Sequence, residues 1–143
     1  MNAHQILSLE NVGAFAAELA LELRPGLPIL LSGEVGAGKS TLARFVVWEF
    51  MGQVLTVPSP TFPLMIPYDG IKGRLWHMDL YRLKDTPSRL HELNIPECLK
   101  NDFCLIEWPC FLGSLRPAAY IAINLEEAEN DKQRQVHCQR VGF

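Results

Sequence analysis

Eight consecutive residues, Gly33-Glu34-Val35-Gly36-Ala37-Gly38-Lys39-Ser40, match G-x-x-x-x-G-K-[ST] at every fixed position. The chemistry of phosphate binding explains this spelling. Glycine takes backbone conformations closed to other residues, so successive amides can turn inward on an anion. A helix beginning at the end of such a loop adds its free amides and the positive end of its dipole. Lys39 brings a point charge to the β/γ-phosphates, and a hydroxyl such as that of Ser40 can ligate Mg²⁺. The expected nucleotide-binding stretch is Glu34, Val35, Gly36, Ala37, Gly38, Lys39, Ser40 and Thr41. At ordinary residue frequencies a chance match in a chain of this length has a probability of roughly 0.2 per cent.

A phosphate loop needs an acid at the end of a neighbouring strand to hold the metal's hydration shell. Two residues qualify. Glu107 ends the apolar run Phe103-Cys104-Leu105-Ile106, and Asp79 ends Leu75-Trp76-His77-Met78. Thr61, in the proline-flanked loop Pro58-Ser59-Pro60-Thr61-Phe62-Pro63, is a candidate γ-phosphate sensor, or a turn hydroxyl bonded to its own backbone. His77 reads as a packed or hydrogen-bonded residue, since hydrolysis on this scaffold rests on positioning and charge and needs no histidine base. Trp108 is compatible with a core, stacking or docking role, and Arg82 with a charge clamp or an ordinary ion pair.

The elements that must position these groups follow from pattern. Pro28 to Ser32 is a short apolar run without alternation, which suits a strand buried on both faces of a parallel sheet. A helix from about Lys39 to Phe50 follows the glycine loop, with Leu42, Phe45, Val46 and Phe50 on its apolar face. Strand, loop and helix in immediate succession are the context this motif requires. Upstream, Leu9, Val12, Ala16, Leu19 and Leu23 predict an amphipathic helix over 9–23, with Ser8 as its N-cap and Arg24-Pro25-Gly26 as its stop. Downstream, strands are expected at Val54 to Val57, 103–106, 118–125 and, weakly, 133–141. A hairpin is expected from 64–68 and 74–78, a short helix from Thr86-Pro87 to Leu93, and an acidic loop from Glu126 to Asp131.

Composition bounds what these elements can do. The chain has 143 residues, 48% hydrophobic and 20% charged, which predicts one globular α/β domain over 1–143. Its 13 basic and 16 acidic residues sum to −3, which argues against a major nucleic-acid surface. The cysteines, Cys98, Cys104, Cys110 and Cys138, form no C-x-x-C pair, and the histidines have no ligand spacing, so no zinc site is expected. Residues 1–15 lack a signal-peptide pattern and no apolar stretch reaches membrane-span length, so a reducing cytoplasm is the expected compartment.

In order and spacing, GEVGAGKSTL, SPTF, HMDLYRL and IEWP together resemble the TsaE family of bacterial P-loop ATPases, which serve threonylcarbamoyladenosine modification of tRNA. The resemblance spans about residues 8 to 125. It implies a single P-loop α/β domain with a mostly parallel central sheet, antiparallel additions and helices on both faces. It also implies weak Mg²⁺-dependent ATP hydrolysis and action with the proteins TsaD and TsaB, which modify position 37 of the tRNA. By position, Lys39 corresponds to the phosphate lysine and Ser40 to the Mg²⁺ hydroxyl, usually Thr. Thr61 corresponds to a switch-like threonine, Asp79 to the essential aspartate, and Glu107 with Trp108 to the acidic-aromatic pair. The expected catalytic set is therefore Asp79, Lys39 and Thr61, and the expected metal set Ser40 and Glu107. This chain departs from the family pattern at two places. Cys110 follows Pro109, where many members carry a second acid, and Asn94 stands where a glycine is usual. Asparagine tolerates positive φ. A small-molecule kinase and a nucleotide-gated adaptor are the alternative readings, although no arginine-rich lid segment is visible.

Overall fold

The apolar run before the glycine loop becomes the middle of a sheet. The computed structural model describes residues 2–143. In chain order the elements are β1 (Asn2–Leu7), α1 (Val12–Glu22), β2 (Ile29–Ser32), α2 (Lys39–Met51), β3 (Met65–Gly70) and β4 (Gly73–Asp79). They continue with α3 (Arg89–Glu92), α4 (Ile95–Asn101), β5 (Phe103–Glu107), β6 (Tyr120–Glu127) and β7 (Arg134–Val141). The strands form one seven-stranded sheet in the order β1-β7-β6-β2-β5-β4-β3. The central pairs β6–β2, β2–β5 and β5–β4 are parallel, and β1–β7, β7–β6 and β4–β3 are antiparallel.

Side-chain alternation explains the layers. Ile29 and Leu31 of β2 and Leu105 of β5 face one core with Val12, Phe15 and Leu19 of α1 and Leu42 and Val46 of α2. Leu30, Cys104 and Ile106 face a second core with Leu90 of α3 and Ile95 and Leu99 of α4. Helical elements thus cover both faces, as parallel strands require. Leu30 is 1% exposed, and truncating such a residue to alanine costs about 2–5 kcal/mol. No helix among the described residues is long and apolar enough to cross a membrane.

Several boundaries differ from the pattern-based expectation. The first helix starts at Val12, with Asn11 at its N-cap. Ser8 lies upstream in a turn, where its carbonyl accepts from the Asn11 and Val12 amides. Residues 54–57 form no strand. After α2 ends at Gly52 (φ +73), the Trp48 indole donates to the Leu55 carbonyl at 2.7 Å, which fastens this segment to the helix. Leu55 and Val57 pack on the first core from there, so the apolar run answers to packing rather than to strand pairing. The helix expected at 86–93 contracts to four residues with Ser88 at its N-cap, and α4 follows it. Asn94 adopts φ +58 between the two, so the asparagine does sustain the turn. The acidic loop begins later than expected, because β6 runs to Glu127 and pairs with Arg134. β1, mostly exposed at the sheet edge, carries too little apolar pattern to be read from sequence.

Candidate functional site

The carboxyl ends of β2, β4 and β5 lie side by side, which is where open α/β sheets bind ligands. β2 runs directly into the glycine loop. Gly33 has φ +148, and a side chain there would meet the Leu125 carbonyl at 2.6 Å, so only glycine lets the loop pass β6. Gly38 sits at the N-cap of the 13-residue α2 with φ +99, which turns the loop into the helix. Positive-φ glycines at 33, 36 and 38 give the backbone of an anion cradle, and the free amides of α2 close it.

Strand register brings the acids together. Asp79 is the direct partner of Glu107, and Leu31 pairs with Glu107 on the other side. Asp79 and Glu107 are both buried, as is Lys39. The Lys39 ammonium donates to the carbonyls of Gly33 and Glu34 and lies 4.3 Å from the centre of the Trp108 ring. Burial pulls its pKa below the ordinary lysine range, while the negative charges of Glu107, Asp79 and Glu34 act in the opposite direction. A lysine held on main-chain carbonyls is able to exchange those partners for the oxygens of an anionic ligand.

Thr61 joins this group from the proline loop. Its hydroxyl donates to Asp79 Oδ2 at 3.2 Å and lies 2.7 Å from the Ser59 hydroxyl. Asp79 Oδ1 accepts the Tyr81 amide at 3.0 Å, so both carboxylate oxygens are oriented. Ser59 was not among the expected site residues, although two hydroxyls spaced by a proline was the available signal. Ser40 is exposed at the second position of α2, Thr41 is half-buried beside it, and Glu34, Val35 and Gly36 form the exposed rim of the loop.

The residues left open by sequence take definite positions. His77 Nε2 lies 2.7 Å from Glu107 Oε2, with both side chains nearly inaccessible. A carboxylate only accepts, so Nε2–H donates, and Nδ1 is buried without a partner. Trp108 adopts φ +57, a strained conformation for a bulky residue, and sits against Tyr81 (5.0 Å) and Phe111 (6.5 Å). It therefore supplies the aromatic face under Lys39. Among the described residues Arg82 makes no ion pair. It donates to the Phe62 carbonyl at 3.1 Å and lies over the Phe62 ring, tethering the proline loop.

Comparison with known proteins decides the family. The family model described as threonylcarbamoyl adenosine biosynthesis protein TsaE matches residues 6–136. The chain belongs to the TsaE family. A TsaE of Rickettsia bellii, named as a tRNA threonylcarbamoyladenosine biosynthesis protein, is 36% identical over 134 residues, covering 93% of this chain and 92% of its own. The TsaE of Bacillus subtilis is 31% identical over 134 residues, with 93% and 82% covered. Among solved structures, Bacillus subtilis YdiB superposes with a TM-score of 0.76 at 25% identity, covering 99% of this chain and 87% of that one. The single α/β domain read from sequence is thus the TsaE fold. The matched span takes in the glycine loop, the proline loop, Asp79 and Glu107.

Proposed function

We propose that this TsaE-family chain is a Mg²⁺-dependent ATP-binding and ATP-hydrolysing subunit for threonylcarbamoyladenosine modification of tRNA position 37, cycling a complex of TsaD and TsaB. One observation carries the reading. A glycine cradle at a helix N-terminus stands beside a buried lysine and two carboxylates on register-paired strand ends. The donor set fits both ligands: backbone amides and an ammonium for phosphates, and carboxylate and hydroxyl oxygens for a hard cation.

In this reading Gly36, Ala37 and Gly38 present amides to the phosphates, and Lys39 exchanges its carbonyl partners for phosphate oxygens. Ser40 and Glu107 would hold Mg²⁺, which would supply charge neutralisation for the phosphates. Asp79 orients the attacking water. Its position is fixed by Thr61 on one oxygen and the Tyr81 amide on the other. Thr61, on the proline loop, reports the terminal phosphate to that loop. His77 holds Glu107 from behind. The small, slightly acidic domain leaves tRNA binding and acyl transfer to the partners.

The test is calorimetric titration with ATP together with phosphate release, with and without TsaD and TsaB. Lys39→Ala is expected to abolish binding, whereas Asp79→Ala should spare binding and lower turnover. Unchanged turnover in Asp79→Ala would overturn its assignment. A chain silent in phosphate release under both conditions would favour the nucleotide-gated adaptor instead.

A further inference from the structure

Arg134 opens β7, a segment with no sequence motif, yet its side chain reaches the glycine loop. One terminal nitrogen donates to the carbonyls of Asp131 and Gln133, both at 2.7 Å, and the other to the Gly36 carbonyl at 3.2 Å. The Nε is buried without a hydrogen-bond partner. Among the described residues no carboxylate lies within ion-pair distance of this guanidinium. The guanidinium is partly exposed and held by main-chain carbonyls alone, so its charge is free to pair with an anionic ligand. The arginine stem lies against the loop, since a side chain at position 38 would be in van der Waals contact with Arg134 Cγ at 3.6 Å.

The surroundings bear on what that ligand is. Arg134 and Lys132 line a cleft of about 560 Å³ with the carboxylates Glu10 and Asp131, Thr41 and the apolar Leu42 and Leu125. This volume suits a small organic ligand. Lys39, on the carbonyls of Gly33 and Glu34, lies toward Trp108, Glu107 and Asp79. Arg134, on the carbonyl of Gly36, flanks the loop on the side of the apolar cleft. A nucleotide with its terminal phosphate toward the acids and its nucleoside toward the cleft carries its innermost phosphate past Arg134.

We infer that Arg134 is a second cationic nucleotide-binding residue, contacting the phosphate nearest the nucleoside and tying the β6–β7 hairpin to occupancy of the loop. The inference rests on the nucleotide-site reading above. The innermost phosphate is common to ATP and ADP, so the contribution is equal for both, unlike that of a group on the terminal phosphate.

The test is calorimetric titration of MgADP and MgATP into wild type, R134K and R134Q at low and moderate salt, with ligand-free melting measured in parallel. R134Q is expected to weaken both nucleotides by the same factor, about tenfold, the size of one charge-assisted hydrogen bond. It should also flatten the salt dependence, and R134K should recover most of the loss. Wild-type affinity in R134Q would overturn the inference. So would equal losses in R134K and R134Q that track lowered ligand-free melting temperatures, which would make Arg134 a structural tie through Gly36. If wild type binds neither nucleotide, the nucleotide-site reading itself falls, a result distinct from either.

Discussion

Replacing His77 with leucine tests whether the buried pair behind the site is held together as argued. The His77 and Glu107 side chains are 2% and 4% exposed and meet at 2.7 Å. Removing the imidazole leaves a buried carboxylate oxygen without its donor. Stranding a buried carboxylate oxygen in this way costs about 3–4 kcal/mol, more than for a neutral acceptor. Two features reduce the cost here. The Lys39 ammonium still acts on Glu107, and the wild-type orphan at His77 Nδ1 disappears, which returns about 1 kcal/mol. The expected net loss is about 2–3 kcal/mol, or about 6–9 °C in melting temperature for a domain of this size. Removing both polar groups should largely reverse it, since replacing a buried pair by apolar residues is often neutral or stabilising. H77L/E107L is therefore expected to lie within about 1 kcal/mol of wild type, while losing nucleotide hydrolysis. Urea denaturation of the wild type, both single variants and the double variant measures the coupling. If the double variant is no more stable than H77L alone, the unpaired carboxylate does not cause the loss, and the reasoning fails.

Lys39 and the cysteines give two further tests. Because burial lowers the Lys39 pKa below 10.5, ADP affinity should fall as the pH rises, starting below that value as the ammonium loses its proton. A titration from about pH 7 to 10 checks this, with the permanently charged Lys39→Arg as the control expected to stay flat. Cys98, Cys104 and Cys138 are buried, and burial raises all three thiols, whereas Cys110 is exposed. The thiolate is the reactive form, so a thiol-specific dye should label one cysteine rapidly in the native chain and all four in denaturant. Two or more fast thiols in the native state would contradict the packing described.

Legibility varied with how local the determinants were. The phosphate loop, the strand before it and the helix after it are contiguous, and each rests on local chemistry: glycine at positive φ, an apolar run, a 3.6-residue period. The β3–β4 hairpin was legible from its two apolar runs, although the strands extend to Gly70 and from Gly73 and leave only Ile71-Lys72 as the turn. Residues 54–57 misled because their apolar, β-branched character is real but answers to the Trp48 indole and the first core rather than to a neighbouring strand. The strand β1 was missed because only Leu7 of its described side chains is buried, so its placement depends on pairing with β7 far along the chain.

The site follows the same division, and this bears on how it works. Asp79 and Glu107 could each be recognised as an acid at the end of an apolar run, but their relation could not, because it is a property of register. One position of slip between β4 and β5 would turn one of the two carboxylates to the other face of the sheet. The groups that fix the acids are equally non-local. Thr61 and the Tyr81 amide hold Asp79, and His77 on β4 holds Glu107 on β5. Under the proposed function the β4–β5 pairing is therefore part of the chemistry rather than a passive support for it. It follows that substitutions deep in these two strands should disturb turnover before they disturb nucleotide binding, because binding rests on the loop and α2 while the geometry of the acids rests on register.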